Sequence, residues 1–274
     1  MRRVRAVQAA ALGTVLWAAL LGAGNPSAAQ PPAPETHTAS EAPEQLRVRV
    51  LETLPHDTSA FTQGLEIADG VLYEGTGRSG QSRVTATDLG SGRELARADL
   101  PAPYFGEGIT LTDTSLWQLT WQHGLAFERD PDSLAERRTV SYPGEGWGLC
   151  YQRQADRLVM SDGSDRLTFR DPDTFVETGE VQIPGTDKLN ELECTDDAVY
   201  ANVWLTDTIV RIDPDCGRVT AEIDASGLLT PEEARTANVL NGIAALPATD
   251  GPDEFLITGK LWPHLFRVEF VPAG

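Results

Sequence analysis

A short turn motif recurs along this chain at a nearly fixed interval, and that periodicity limits the fold more than any other feature. Asp88-Leu89-Gly90-Ser91-Gly92, Asp130-Pro131-Asp132, Asp171-Pro172-Asp173 and Asp213-Pro214-Asp215-Cys216-Gly217 each follow a short strand-like run. Their first residues stand at 88, 130, 171 and 213, at intervals of 42, 41 and 42. Asp accepts local backbone hydrogen bonds and Pro presets φ at the second turn position, so each motif reads as a hairpin turn. A second register runs ahead of the first: Gln63-Gly64-Leu65, Glu107-Gly108-Ile109, Trp147-Gly148-Leu149, Asn190-Glu191-Leu192 and Asn241-Gly242-Ile243, at intervals of 44, 40, 43 and 51. Runs of strand length and composition, such as Val199 to Trp204 and Ile209 to Ile212, lie between the registers. Others, such as Glu94 to Leu100 and Val219 to Ile223, follow the turns. Four strands in about 40 residues is the signature of a β-propeller blade, and five registers predict an all-β, five-bladed propeller. A β-sandwich with accidental spacing is the competing reading, and two independent registers weigh against it.

The chain ends support the count. The run from Leu46 to Leu54 alternates Leu46, Val48 and Val50 with Arg47 and Arg49 and has no blade of its own. It is expected to close the ring as the missing outer strand of the fifth blade, which removes an open edge. Thr230-Pro231-Glu232-Glu233 is a capping box with Pro at the first helical position, so one short helix is predicted in the longest interval. Upstream, a basic start, an apolar stretch from about Val7 to Leu21 and the small residues before Gln30 read as a secretory signal peptide over 1–29, cleaved after Ala29. Residues 30–45, rich in Pro, Ala, Ser, Thr and Glu, read as a disordered linker. Residues 46–274 are then the propeller domain. No later run approaches the roughly 20 apolar residues of a membrane span, so an exported product, periplasmic or secreted and free of the membrane after cleavage, is expected.

Charge narrows the partners. With 41 acidic and 22 basic residues the formal charge is −19, and loss of Arg2, Arg3 and Arg5 with the leader takes it to −22. Nucleic acid is thereby disfavoured, and cationic groups such as a free peptide amine are mildly attracted. The first strand of each blade lines a propeller's channel, which puts Gln63, Glu107, Trp147, Asn190 and Asn241 at equivalent inner positions. Glu107 sits between Gly106 and Gly108 with Phe105 beside it, where a carboxyl with a raised pKa can carry a proton both ways. Glu145, in Gly144-Glu145-Gly146, is its rival. Glu191 and Glu193 flank Leu192 in the fourth register, and one of them is expected to be solvated.

Trp121, Trp147 and Trp204 lie beside the inner register and suggest an aromatic-walled cavity, packing being the plainer role for any one of them. Lys260 is one of only two lysines and lies between Gly259 and an apolar run; a surface ammonium is its ordinary reading. Four scattered histidines show no zinc spacing, no Ser sits in a nucleophile elbow, and Asp162-Gly163-Ser164-Asp165 reads as a hairpin turn rather than a calcium loop. No metal or other cofactor is expected. Cys150 and Cys194 follow the inner strands of adjacent blades, as a disulfide or as two buried thiols, and Cys216 lies in a turn.

Eight ordered motifs between about Leu54 and Phe266 resemble a known family. They are Ala60-Phe61-Thr62-Gln63-Gly64-Leu65, Phe105-Gly106-Glu107-Gly108, Gln118-Leu119-Thr120-Trp121, Gly146-Trp147-Gly148-Leu149, Leu189-Asn190-Glu191-Leu192-Glu193, Asn202-Val203-Trp204, Val239-Leu240-Asn241-Gly242-Ile243-Ala244 and Thr258-Gly259-Lys260-Leu261-Trp262-Pro263. Together they resemble the glutaminyl-peptide cyclotransferases of plant and bacterial type. The resemblance implies a five-bladed propeller that cyclises the N-terminal glutamine of peptides or proteins to pyroglutamate and releases ammonia without a metal. It also implies Glu107 as the acid/base, Lys260 and Asn190 as its catalytic partners, and Gln63 as a polar contact of the substrate. Phe61, Phe105, Trp121, Trp147 and Trp204 would form the pocket wall. A monomer is expected. The alternatives are a non-catalytic propeller that binds peptide N-termini or a small ligand, and a metal-dependent propeller hydrolase. Cleavage after Ala29 would also expose Gln30, which makes the protein a candidate substrate of its own activity.

Overall fold

The recurring Asp turns are built as their composition requires. Asp88, Asp130 and Asp171 each accept, through Oδ1, the backbone N–H three residues on, at 2.8, 2.9 and 2.7 Å, and Asp213 accepts that of Asp215 at 3.0 Å. Each turn is closed by a backbone bond to the same Asp carbonyl, from Gly92, Leu134, Phe175 and Gly217. These local bonds set the interval between the third and fourth strand of the four repeats that carry them.

The structure, a computed structural model, describes residues 42–247 and 252–274. The expected leader and residues 30–41 of the expected linker lie outside the described residues. Strand β1 (Glu44–Pro55) takes in the last two residues assigned to the linker. The chain then lays down four strands at a time. β2 (Thr62–Ala68), β3 (Val71–Thr76), β4 (Arg83–Asp88) and β5 (Glu94–Asp99) pair in chain order as one antiparallel sheet. So do β6 (Gly106–Leu111), β7 (Leu116–Thr120), β8 (Leu125–Arg129) and β9 (Glu136–Ser141), and then β10 (Leu149–Gln152), β11 (Arg157–Ser161), β12 (Arg166–Arg170) and β13 (Glu177–Gln182). The remaining strands are β14 (Leu189–Cys194), β15 (Val199–Val203), β16 (Thr208–Asp213), β17 (Arg218–Asp224), β18 (Leu240–Ala245), β19 (Glu254–Gly259) and β20 (His264–Pro272). With β1 they form an eight-stranded sheet in the order β14-β15-β16-β17-β1-β20-β19-β18.

β1 therefore pairs antiparallel with β20, from Leu46 opposite Pro272 to Pro55 opposite His264, as its alternation predicts. It also pairs parallel with β17, Glu44 to Arg47 running beside Ala221 to Asp224. The second pairing was not foreseen: one strand covers two open edges. The predicted helix is a single 3₁₀ turn, Glu233–Arg235, and its capping box is formed, Thr230 N–H donating to Glu233 Oε2 at 2.9 Å and Glu233 N–H to Thr230 Oγ1 at 3.3 Å. Asp162 to Asp165 is the β11–β12 turn, with Ser164 N–H on Asp162 Oδ1. No helix among the described residues is long and apolar enough to cross a membrane.

Apolar clusters lie between neighbouring sheets. Tyr73, Val84 and Ala86 meet Ile109, Leu116 and Leu134; Trp117 and Leu119 meet Leu149, Leu158 and Met160; Val159 and Leu167 meet Leu192, Val199 and Ala201. Tyr200 and Ile209 meet Ile243 and Phe255, and Leu65 and Leu72 meet Ala244 and Leu256. Each buried side chain of this size contributes about 1.5–3 kcal/mol. The inner strands touch in a closed cycle, β2 with β6, β6 with β10, β10 with β14, β14 with β18 and β18 with β2. The whole is an all-β, propeller-like arrangement.

The register glycines serve this close approach. A Cβ on Gly108 would lie 2.7 Å from Leu149 N and Trp147 O, and one on Gly148 would lie 2.1 Å from Asn190 O, so neither position has room for a side chain. The fourth register carries Glu191 instead, whose carboxyl accepts Leu65 N–H at 3.0 Å and Ile243 N–H at 2.8 Å from two other inner strands. Glu193 is buried as well, so the expectation that one of the two is solvated is incorrect. The reason is that residues two apart on a strand share a face, so Glu191 and Glu193 go the same way, and an inner strand has protein on both faces. Burial pushes both carboxyls well above the usual glutamate range. Cys150 and Cys194 are joined as a disulfide that ties β10 to β14, and Cys216 is free and exposed.

Candidate active site

Residues at the starts of the inner strands and just past the ends of the strands that follow them converge on a cavity of about 260 Å³. Gln63, Glu107 and Asn190 come from β2, β6 and β14, and Lys260 follows β19. Phe61 and Phe105 precede β2 and β6, Trp147 precedes β10, and Trp121 and Trp204 follow β7 and β15. All nine residues singled out from the sequence as catalytic or substrate-binding line this one space. Lys260 is buried rather than on the surface, its ammonium 5.1 Å from the centre of the Phe61 ring. Trp117 and Trp262 are packing residues, their indole N–H groups donating to Pro172 O and Asn238 O.

A chain of amides orients Glu107. Asn241 Nδ2 donates to Thr62 O at 3.0 Å and to Gln63 Oε1 at 3.2 Å, and Gln63 Nε2 donates to Glu107 Oε1 at 2.8 Å. Asn241 does not line the cavity but sets the rotamer of a residue that does. Burial raises Glu107 well above the usual glutamate range; the charge of Lys260 opposes this, the charge of Glu145 adds to it, and the Gln63 bond opposes it. Burial lowers Lys260, with Glu107 acting the other way. Both shifts express one fact: separate charges are costly inside this space. Asn190 Oδ1 is buried and has no donor within the protein. A buried acceptor of this kind is rare unless something else satisfies it, and here it adjoins the cavity.

Glu145, the rival to Glu107, stands at the rim. Its carboxylate accepts the indole N–H of Trp121 at 2.8 Å and of Trp147 at 3.0 Å, and Gln122 Nε2 at 2.9 Å. Partial burial raises it, but these bonds prevail and its pKa falls below the ordinary value. The two glutamates are thus shifted in opposite directions, Glu107 upward by burial and Glu145 downward by its hydrogen bonds.

Two supports had no signal in the sequence. Tyr142 is buried under the Gly146-Trp147 segment, its hydroxyl donating to Thr120 O at 2.7 Å, and a Cβ on Gly146 would lie 2.2 Å from it. His56, just after β1, contacts Trp262 O at 2.8 Å through Nδ1 and Glu74 Oε1 at 3.0 Å through Nε2, while Thr62 Oγ1 donates to the same Glu74 oxygen at 2.6 Å. The closing strand thus braces the two segments that carry Gln63 and Lys260. Among the described residues, no group of three His, Cys, Asp or Glu side chains is arranged to hold a metal ion.

A buried carboxyl flanked by amides and a lysine, under a wall of aromatic rings, makes a pocket whose polar groups are gathered on one small space. The chain belongs to the glutamine cyclotransferase family, whose sequence model matches residues 19–270. It is 36% identical over 236 residues to glutaminyl-peptide cyclotransferase of Arabidopsis thaliana, a match that covers 83% of this chain and 72% of that protein. The crystal structure of Myxococcus xanthus glutaminyl cyclase is similar at a TM-score of 0.75 and 38% identity, over 85% of this chain and 100% of that one.

Proposed function

We propose that this protein is a glutaminyl-peptide cyclotransferase, which closes the N-terminal glutamine of peptides or proteins into pyroglutamate and releases ammonia. The observation that carries this reading is the convergence of nine residues from separate repeats on one cavity floored by Glu107. Their roles follow from chemistry. The attacking α-amine and the side-chain amide carbon belong to one residue, so catalysis consists largely of folding the substrate onto itself, and the aromatic wall supplies that constraint. Buried Glu107 gives its proton to the departing amide nitrogen and takes one from the attacking nitrogen. The ring C–N bond forms first and leaves an oxyanion on the now tetrahedral carbon. As the carbonyl re-forms, the C–N bond to the leaving group breaks, ammonia carries away the proton given by Glu107, and the proton taken from the ring nitrogen returns Glu107 to its starting state. Such a shuttle contributes about 10² to 10⁴ in rate. The Lys260 ammonium and the second N–H of Gln63 are donors for the oxyanion on the amide carbon, each worth about 2.7–4 kcal/mol where it meets the developing charge. Asn190 Oδ1, an acceptor, takes a substrate N–H rather than the oxyanion.

We infer further that the strand groups form a five-bladed propeller with β1 as its closing strand, and that residues 1–29 are a secretory signal and the segment before Glu44 a linker. The mature protein then works as an exported monomer, without a cofactor, on free peptide N-termini. The test is ammonia release, with mass spectrometry of the product, from a Gln-initiated peptide given to chelator-treated protein beside the same peptide N-acetylated. Conversion of the free peptide alone is expected. No conversion would return the cavity to a binding role, and conversion abolished by the chelator would favour a metal-dependent enzyme.

A further inference from the structure

The aromatic wall is built in two arcs. Phe61 meets Phe105 edge-on with ring centres 6.2 Å apart, and Phe105 meets Trp121 at 5.6 Å. Trp147 meets Trp204 at 5.5 Å, nearly perpendicular. What joins the arcs is the Glu145 carboxylate: a single oxygen, Oε2, accepts the N–H of both Trp121 and Trp147. The other oxygen is held by Gln122, so three neutral donors fix the group, and among the described residues no cation forms an ion pair with it. The segment around it is pinned too, Gly146 N–H donating to Trp121 O at 3.0 Å over the buried Tyr142 ring.

We propose that Glu145 is a positioning residue for the reaction, whose carboxylate staples the two halves of the aromatic wall together and keeps a fixed negative charge within reach of Glu107 and of an entering substrate amine. The inference rests on the cyclotransferase reading. An indole ring is amphipathic, and with its N–H tied back its apolar face is left for the glutamine side chain. Charge-assisted bonds are stronger than neutral ones, which suits a carboxylate better than an amide at this point. The groups that act on Glu107 are Lys260, Glu145 and the Gln63 amide, with the Tyr142 ring nearby; those that face Glu145 are the two indoles and Gln122. Removing the Glu145 charge therefore lowers the pKa of Glu107, and the limb of the pH–rate profile that belongs to Glu107 moves to lower pH.

Two variants of the full chain test this, Glu145→Gln, which keeps an acceptor but loses the charge, and Glu145→Leu, which loses both. Indole N–H resonances in ¹H–¹⁵N spectra read the staple without reference to activity. In Glu145→Leu those of Trp121 and Trp147 should both move upfield, while those of Trp117 and Trp262, bonded to backbone carbonyls elsewhere, stay in place. The same spectra report whether the variant is folded. A loosened wall should lower kcat/KM by about 100-fold in Glu145→Leu, the scale expected for a small misplacement of the substrate. In Glu145→Gln the Glu107 limb should shift to lower pH. Unmoved Trp121 and Trp147 resonances overturn the staple, and an unmoved limb overturns the electrostatic role. A wild-type protein that releases no ammonia overturns the cyclotransferase reading instead, and the indole resonances still decide the staple.

Discussion

Replacing Glu107 by Gln should move activity and stability in opposite directions. The substitution keeps the shape of the side chain and an oxygen to accept the 2.8 Å bond from Gln63 Nε2, so the packing of the cavity floor survives. What it removes is the proton. A positioned acid/base is worth about 10² to 10⁴ in rate, or about 2.7–5.5 kcal/mol of barrier, and that loss should fall on kcat with KM little changed. Stability behaves otherwise. Burial raises the folded-state pKa of Glu107 well above its ordinary value, while the unfolded chain ionises near about 4.3. Between these two values the folded protein holds a proton that the unfolded chain has released, so this residue makes the native state progressively less stable as pH rises from about 4.3 towards the folded pKa. Gln carries no such liability. Ammonia-release kinetics and thermal melts of both proteins across pH 4 to 9 are the assay, with the variant expected to be slow and to melt higher than the wild type at pH 8, the difference closing near pH 4. A variant with wild-type kcat would refute the proton shuttle. One that melts lower than the wild type at pH 8 would refute the assignment of Glu107 as a buried, protonated acid.

Gly148→Ala should destabilise the protein by about 3 kcal/mol or more, read as a fall in urea midpoint, because the added Cβ meets the Asn190 carbonyl oxygen at 2.1 Å and the Leu192 side chain at 2.8 Å. An unchanged midpoint would mean that the inner strands are not packed this closely. Loss of the Cys150–Cys194 disulfide, which closes a 44-residue separation, should cost about 4 kcal/mol by chain entropy, measured by denaturation of the Cys194→Ser protein; near-wild-type stability would mean that the bond constrains little. After export and cleavage behind Ala29, intact mass should show Gln30 already converted to pyroglutamate, and an unmodified Gln30 terminus would dispose of self-processing.

Much of this architecture is written in local sequence because it depends on local bonds. The Asp88, Asp130, Asp171 and Asp213 turns each satisfy their own backbone, so their spacing survives translation into strands without help from the rest of the chain. The register residues are legible for a related reason: glycine at 108 and 148 is demanded by a neighbouring backbone, and the positions before them face the channel. The alternation of β1 likewise foretells its pairing with β20, since an amphipathic strand without a sheet has to find an edge.

Other features follow from which elements meet, and no local pattern encodes that. The parallel pairing of β1 with β17 depends on where the fourth sheet ends in space. Glu191 and Glu193 share one face of β14, and both are buried because an inner strand has neighbouring strands on either side, which the strand's own sequence does not show. The sequence by itself determined the repeat, the turn chemistry, the closing strand and the residue types that crowd the channel, all of them set by neighbours within a few positions or by a strand's own period. The tertiary structure alone decided that Lys260 is buried, that Asn241 acts through Gln63, and that Glu145 holds two tryptophans instead of a proton. Each of these depends on distances between residues of different sheets, fixed when the inner strands close their cycle.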